Sequence, residues 1–596
     1  MTYTAPLKDM LFVMNELAGL NEVAQLPGYE EAAAETAGAV LEENARFVQE
    51  IIAPLNRVGD THPPSYEGGA VKTSPGFKQA FKQFAAAGWQ GVQHPTEFGG
   101  GGLPKLIATA CTEMLNAGNL SFALCPLLTD GAIEALMTAG TPEQQQRYVA
   151  KLIDGSWTGT MNLTEPQAGS DLSLVRTKAV KQADNSYRLF GQKIYITYGE
   201  HDMADNIIHM VLARTPEAPE GVKGLSLFIV PKILEDGTRN DVFCASLEHK
   251  LGIKASPTAV LLYGDGKYPV NDAPGAVGYL MGEENRGLEY MFIMMNAARF
   301  AVGMQGIGVA ERAYQKAVQY ARDRVQSRDL SGSEGPVAII HHPDVKRMLL
   351  FMRANTEAAR ALAYWAAAQC DLSLHHPDPI KRQQARIFYE YCVPIVKGFS
   401  TEMAVEVCST GVQVHGGMGF IEETGAAQYY RDARILTIYE GTTAIQANDL
   451  VSRKTARDAG AGVKALAALI EATEQQLLLH SAKPMVDMAH QLSQARQALL
   501  SAADYIVRNV RQDPKAIFSG SVPYLKLAGL TLGGWQMACA MLRVSGTGNR
   551  FDADFCNTKI ATAHYYAQHL LTHTLVLERT IMTGGHSVVF FESANF

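Results

Sequence analysis

Cysteine is sparse. Its eight copies stand at Cys111, Cys125, Cys244, Cys370, Cys392, Cys408, Cys539 and Cys556, and no two form a CxxC. That scatter excludes a zinc knuckle or a disulfide framework and reads as reduced thiols in a cytoplasmic protein. A GxxxxGK[ST] phosphate loop is missing from the whole chain, and so is HExxH. The paired histidines of HHPD, at 341–344 and again at 375–378, have no spaced carboxylates to complete a metal site and read as loop and helix-start residues. Positive charge is also in deficit, with a formal net charge of -8, which argues against a nucleic-acid partner. The opening MTYTAPLKDMLFVMNELAGL lacks a basic n-region, a compact apolar run and a small-residue cleavage site, so secretion is not expected. The longest apolar segment in this reading, LKLAGLTLGGWQMACAMLRV at 525–544, is interrupted by Lys526, Gln536 and glycines. A buried helix is expected there, not a membrane span.

What is present is ordinary globular material: 47% hydrophobic and 19% charged residues. A chain of 596 residues exceeds one core, so several domains are expected. Residues 1–158 read as helical, with apolar residues at helical spacing in EEAAAETAGAVLEENARFVQEIIAPL and a helix start at Thr141-Pro142-Glu143. From 159 to 285 the texture changes to short β-branched and aromatic runs between turns (WTGTMNLTE, SYRLFGQKIYITY, NIIHMVLAR, GLSLFIVPK, AVLLYGD), an antiparallel β domain. Helix returns over 286–455, with one long candidate from MFIMMNAARF to ARDRV and others near 343–371 and 379–410. Residues 456–596 read as a further helical region broken near SAKP, RQDP and SGTGNR.

Several segments carry candidate chemistry, each with a plain alternative. MNLTEPQAGSDLSLVRTKA, 161–179, leaves a strand for a loop whose N–H groups and Thr164 and Ser170 hydroxyls can bind a polar ring edge or a phosphate; it is also an ordinary turn. Strand alternation in GQKIYITYG puts Tyr195 and Thr197 on one face, either a half-buried core face or a surface for a planar ligand. GMQGIGVAER, 303–312, has neither the spacing nor the leading strand of a dinucleotide fingerprint, and its glycines read as tight helix packing. QVHGGMGFIEETG, 413–425, is either a helix C-terminus or a close approach to an adenosine or phosphate. In RDARILTIYEGTTAIQANDL, 431–450, Glu440 stands between Tyr439 and Gly441 with Thr442 and Thr443 behind. It is either a helix N-terminus capped by a threonine or a general base where glycine lets a ligand near the backbone.

Taken together and in order, HPTEFGGGG, LTEPQAGSD, GQKIYIT, LEHKLGIKASPTAVLLY, GEENRGLEYMFIMMNAARF, YARDRV, QVHGGMGF and RDARILTIYEGTTAIQ resemble the acyl-CoA dehydrogenase family over residues 40–455. The extra C-terminal region and the opening YTAPLKDMLFVMNEL are similar to its large bacterial members, which act on long-chain acyl-CoAs or on 3-methylmercaptopropionyl-CoA. The resemblance implies a mostly α fold with an inserted β domain: an N-terminal helical domain, a middle antiparallel β domain and a C-terminal four-helix domain, plus additional C-terminal helices. It implies FAD between the β domain and the helices, with Met161, Leu163, Thr164, Gly169 and Ser170 lining the flavin and Tyr195, Ile196 and Thr197 flanking it. Arg324 and Gln326 would reach the diphosphate, and Gln413, Gly416 and Gly417 the adenosine half across a homodimer interface. Thr442 would sit near the flavin. Three positions depart from the family pattern: Tyr195 replaces a tryptophan, Gln167 a glycine, and Arg324-Val325-Gln326-Ser327-Arg328 an Arg-Lys-Thr-Phe-Gly motif.

The resemblance makes Glu440 the catalytic base. Some relatives carry the base beside the arginine matching Arg299, but Ala298 stands there in this chain. The implied reaction is α,β-desaturation of an acyl-CoA to a trans-2-enoyl-CoA, as in fatty acid β-oxidation, with the α proton going to Glu440 and hydride to flavin N5. Asn296, Arg299, Ser170, Tyr439 and Gly441 would contact the substrate. A medium- or long-chain acyl-CoA is the expected substrate and 3-methylmercaptopropionyl-CoA the alternative. Electron-transfer flavoprotein is the expected acceptor, with an acyl-CoA oxidase and a non-catalytic, DNA-associated relative as the other readings. Residues 456–596 are expected to cover the face that other members use to form tetramers.

Overall fold

The computed structural model describes residues 3–546 and 551–596. Most of the SGTGNR break and the first two residues of the opening segment lie outside that range. Eight strands form the middle sheet: β1 (Trp157–Asn162), β2 (Lys178–Lys181), β3 (Tyr187–Thr197), β4 (Asn206–Ala213), β5 (Ser226–Pro231), β6 (Val242–Leu247), β7 (Thr258–Tyr263) and β8 (Ala276–Met281). Their order is β1-β4-β5-β8-β3-β7-β6, with β2 also on β3. All pairs are antiparallel except β1 with β4. Strand β4, NIIHMVLA, is mostly apolar and all of its residues are buried, Asn206 and His209 included.

Helices lie before and after this sheet. The N-terminal set includes α1 (Lys105–Gly118) and α2 (Leu120–Ala139). Among the described residues α2 is the one helix long and apolar enough to cross a membrane, but 83% of that window is buried inside the protein. The 525–544 segment singled out from sequence does not pass the same test and is a buried helix. The helix at Thr141 starts with a capping box whose second partner is Gln144, not the adjacent Glu143.

After the sheet come α3 (Gly287–Asp323), α4 (Pro343–His375), α5 (Pro379–Val414) and the short α6 (Thr443–Val451). The expected long helix ends at Asp323, because Val325–Arg328 pairs with Pro336–Ala338 in a small hairpin. Both HHPD segments are helix starts, with a proline in the first turn of α4 and Asp378 capping α5. Glycines let α3 meet its neighbours closely. A Cβ at Gly303 would lie 2.5 Å from Val396, and one at Gly308 would lie 2.9 Å from the Ala117 backbone.

The C-terminal region adds α7 (Lys483–Asn509), α8 (Ser521–Ser545) and α9 (Ala553–His569). It is joined to the rest by a buried ion cluster. Arg360 on α4 donates to Glu113 on α1, Glu311 on α3 and Asp9 near the N-terminus at 2.6–2.8 Å. Lys559 on α9 pairs with Glu357 at 2.6 Å and also with Asp9.

Candidate active site

Glu440 lies in the turn between Leu436 and α6. Its backbone is left-handed (φ 54°), and Gly441 follows at φ 92°. A carboxylate-bearing residue rarely adopts that conformation, so the turn must be held from outside. Gln446 on α6 donates toward the Glu440 and Gly441 carbonyls at 3.4 and 3.3 Å. Thr442 caps α6 by accepting from the Ile445 N–H at 3.3 Å. The capping reading of this stretch is thus met at Thr442, and the cap fixes the helix whose entry turn carries the acid. Tyr439 donates to Gln305 on α3 at 2.5 Å, which ties the turn to that helix.

Burial pushes the Glu440 carboxyl up to about 7, against the opposing pull of Lys397 and Arg299. Among the described residues no hydrogen-bond donor is seated on that carboxylate. Glu440 is half-buried, whereas the Arg299 Nε is buried without a partner, although Asn296 accepts from its Nη1 at 3.3 Å. A protein interior seldom leaves such groups unpaired, and where it does the groups are available to something else.

The loop 163–177 comes next to this region through helix packing: Met161 packs on a small apolar cluster of Leu127, Leu128 and Ala298, one residue from Arg299. Buried Glu165 organises the loop. It accepts from the Arg176 N–H at 2.7 Å, the Thr177 hydroxyl at 2.6 Å and Lys193 Nζ at 2.8 Å. Sequence reasoning passed over Glu165 and Lys193, though a lone acid and a lone lysine flanked by apolar strand residues were the available signal. The Thr164 carbonyl accepts from the Ile194 N–H at 2.9 Å, so Leu163, Thr164 and β3 lie side by side.

Tyr195 and Thr197 lie on the more open face of β3, with Ile196 buried between them. One extra residue bulges β3 between Lys193 and Ile196, Tyr195 turns to φ 60°, and its side chain is 60% exposed while Ile196 is buried. The aromatic is thus not in the core; it is displayed at the surface beside the loop. Gly169 and Ser170 are exposed, and a Cβ at Gly169 would meet no protein atom within 4 Å. Chain packing does not demand glycine there, whereas a ligand approaching the backbone would.

A second group gathers elsewhere. His415, beside Gln413, Gly416 and Gly417, stacks on Tyr320 with ring centroids 4.4 Å apart, near the C-terminal end of α3. Arg324 and Gln326 stand just beyond that end, where His342 and the Ile339 N–H contact the hairpin backbone. A Cβ at Gly416 or Gly417 would also meet open space. Arg299 and Arg324 are separated along α3 by roughly 37 Å at 1.5 Å per residue. The structure therefore brings the predicted residues together in two separate groups.

Matches to family models cover the chain in sequence: acyl-CoA dehydrogenase N-terminal domain over 34–156, middle domain over 160–265 and C-terminal domain over 285–454. The chain belongs to the acyl-CoA dehydrogenase family. Its members are FAD-binding oxidoreductases that act on the CH–CH bond of acyl-CoA thioesters. A further match, acetyl-CoA dehydrogenase C-terminal like, spans 463–591. This acyl-CoA dehydrogenase is 51% identical over 596 residues to 3-methylmercaptopropionyl-CoA dehydrogenase of Ruegeria pomeroyi, covering 99% of both chains. It is 32% identical over the full length of both chains to the broad-specificity linear acyl-CoA dehydrogenase FadE5 of Mycobacterium tuberculosis. Among solved structures, Caenorhabditis elegans ACDH-11 in complex with C11-CoA shares the fold, with a TM-score of 0.76 over 97% of this chain and 95% of that one at 21% identity.

Proposed function

We propose that this protein desaturates the Cα–Cβ bond of a short acyl-CoA thioester, with 3-methylmercaptopropionyl-CoA the substrate it fits best. Glu440 takes the α proton. The observation that carries the reaction is the Glu440 turn: a carboxylate raised to about 7 by burial, without a protein donor and next to a glycine. An acid so placed is a stronger base than one in water, and Gly441 leaves the backbone open to a thioester. Arg299 and Lys397 supply positive charge facing the carboxylate, which favours its ionised form. Asn296 and Ser170 are the further substrate contacts on this reading. Bound FAD supplies the two-electron acceptor for the hydride that leaves Cβ.

The flavin ring would be held by Met161, Leu163, Thr164, Gly169, Ser170, Tyr195, Ile196, Thr197 and Thr442, where the exposed Tyr195 ring and the open approach at Gly169 fit a planar ligand. The remainder of the cofactor would meet Arg324, Gln326, Gln413, Gly416 and Gly417 of a second copy. The wide spacing of Arg299 and Arg324 along α3 fits a cofactor shared between two copies. On this reading the protein acts as a homodimer, with electron-transfer flavoprotein as the acceptor.

The short substrate is supported by the full-length similarity to the Ruegeria pomeroyi enzyme and by the cavity between α1, α2 and α3. Ala301 and Leu127 line it, placing it next to the Met161 cluster. Its lining includes Trp89, Gln90 and Asn116, whose Nε1, Oε1 and Oδ1 atoms are buried without a protein partner. A long alkyl chain would seal those atoms away dry, at about 1–3 kcal/mol each. A short acyl group leaves water to satisfy them. The test is anaerobic titration of the holoenzyme with butyryl-, octanoyl-, palmitoyl- and 3-methylmercaptopropionyl-CoA while following flavin bleaching. Fastest bleaching by the short thioether supports the assignment, and equal bleaching by palmitoyl-CoA defeats it.

A further inference from the structure

Lys397 is a buried lysine whose hydrogen-bond partners are carbonyls rather than carboxylates. It sits on α5 with none of its surface exposed, inside the apolar run CVPIVKGF. Its ammonium donates to the Leu436 carbonyl at 2.8 Å and to the Gly441 carbonyl at 2.6 Å. Those two carbonyls bracket the turn that carries Glu440. A buried charge costs several kcal/mol to desolvate unless it is fully compensated, and two carbonyl dipoles compensate an ammonium only in part. A methionine or leucine would fill the same space at less cost. The fold keeps a cation here although packing does not call for one.

The surroundings show what the charge acts on. Around the Glu440 turn, α3 contributes Arg299, α5 contributes Lys397 and Glu402, and α6 with the segment after it contributes Asp449 and Arg453; Tyr439 is the neighbour in sequence. Glu402 is engaged by the Thr443 hydroxyl at 2.5 Å, and Asp449 faces Arg453 at 3.5 Å. Arg299 has Asp449 as well as Glu440 acting on it, whereas Glu440 is the foremost acid acting on Lys397. The turn itself is strained, with two successive left-handed residues. Gln446 holds it from one side through long contacts, and Lys397 holds it from the other through short ones.

We propose that Lys397 is a positioning residue for the base: by pinning both ends of the Leu436–Gly441 turn with an uncompensated positive charge, it fixes Glu440 in place and keeps its carboxylate ionised for proton abstraction. The inference rests on Glu440 being the base. It differs from an ordinary turn-capping lysine in one respect, which is that its charge, and not only its hydrogen bonds, sets the behaviour of Glu440.

The experiment measures kcat, KM and the pH profile of kcat/KM for holoenzyme carrying Lys397→Met, Lys397→Arg or Gln446→Met, beside wild type and Glu440→Gln. In Lys397→Met, kcat is expected to fall about 100-fold with KM changed less than about threefold, and the acid limb to move up by roughly one pH unit. Lys397→Arg keeps the charge and should return the limb to the wild-type position, though kcat stays lowered because its fork cannot reproduce both contacts from one nitrogen. Gln446→Met loosens the same turn without removing charge, so it should lower kcat and leave the limb where it is. A Lys397→Met limb at the wild-type pH, or a kcat within twofold of wild type, overturns the proposal. If Lys397→Met does not accumulate as folded holoenzyme, the other two variants decide: a limb that moves in either one overturns the assignment of the charge. Wild-type flavin that no acyl-CoA bleaches marks a failure of the dehydrogenase reading itself, and this inference falls with it. Bleaching by wild type with unmoved Lys397 variants sinks this inference alone.

Discussion

Two of the places where the molecule buries charge treat it in opposite ways. Around Arg360 the charges meet opposite charges: Glu113, Glu311 and Asp9 surround the guanidinium, and Lys559 ties Asp9 to Glu357. Burial pushes the Asp9 carboxyl up, but Lys559 and Arg360 together outweigh it and hold the group at about 2. Around Glu440 the count of donors falls short. Burial prevails there, and Lys397 and Arg299 only moderate it, leaving the carboxyl at about 7. The Arg360 cluster spans five parts of the chain and works as a joint. The Glu440 cluster keeps proton affinity and hydrogen-bonding capacity free. On the proposed reading of Glu440, incomplete pairing matters more than burial as such.

The largest way to break the comparison is to unpair the joint. Arg360→Met leaves three buried carboxylates facing one another and should cost about 3–5 kcal/mol of stability in thermal or urea unfolding. The folded fraction should keep its kcat. A smaller effect is expected at the other cluster. Gly441→Ala forces a Cβ into a φ of 92° and within 2.7 Å of Gln446 Nε2. That strain is about 1–3 kcal/mol, and it should appear mainly as lost kcat, measured at saturating acyl-CoA.

The smallest effect sharpens the contrast through pH. Asp9 has a folded value below its usual 3.8, so its contribution is present above that and is lost as pH falls toward 2. Glu440 has a folded value above its usual 4.5, so the folded state binds the extra proton and stability declines as pH rises from 4.5 to about 7. Each slope is on the order of 1 kcal/mol per pH unit. Unfolding free energies of Asp9→Asn and Glu440→Gln across pH 2 to 8 should lose slopes of opposite sign. The same raised value predicts that kcat/KM falls below pH 7 as the base becomes protonated.

The domain textures were legible because period-2 and period-3.6 patterns change sharply near Trp157 and again near Gly287. Tyr-Glu-Gly-Thr drew attention to Glu440 by combining a cap, an acid and a glycine, but those residues left cap and base open, and the family resemblance made it the expected base. Alternation put Tyr195 and Thr197 on one face but left core and ligand surface open, and the ring turned outward at the β3 bulge could be seen only in the structure. Lys397 was invisible because a single lysine in an apolar helix looks like any surface lysine until the turn it grips is seen. The polar wall of the cavity was hidden for the same reason: Trp89, Gln90 and Asn116 lie far from Ala301 in sequence, and only the packing of α1, α2 and α3 brings them together.

The most direct measurement compares wild type with Glu440→Gln, both as purified holoenzyme, by anaerobic mixing with the best substrate and by thermal unfolding at pH 8. An unpaired, desolvated carboxylate that serves as the base predicts two results at once: flavin bleaching slowed by about 10³-fold or more, and a melting temperature equal to wild type or higher. Bleaching at the wild-type rate, or a variant that melts well below wild type, would contradict it.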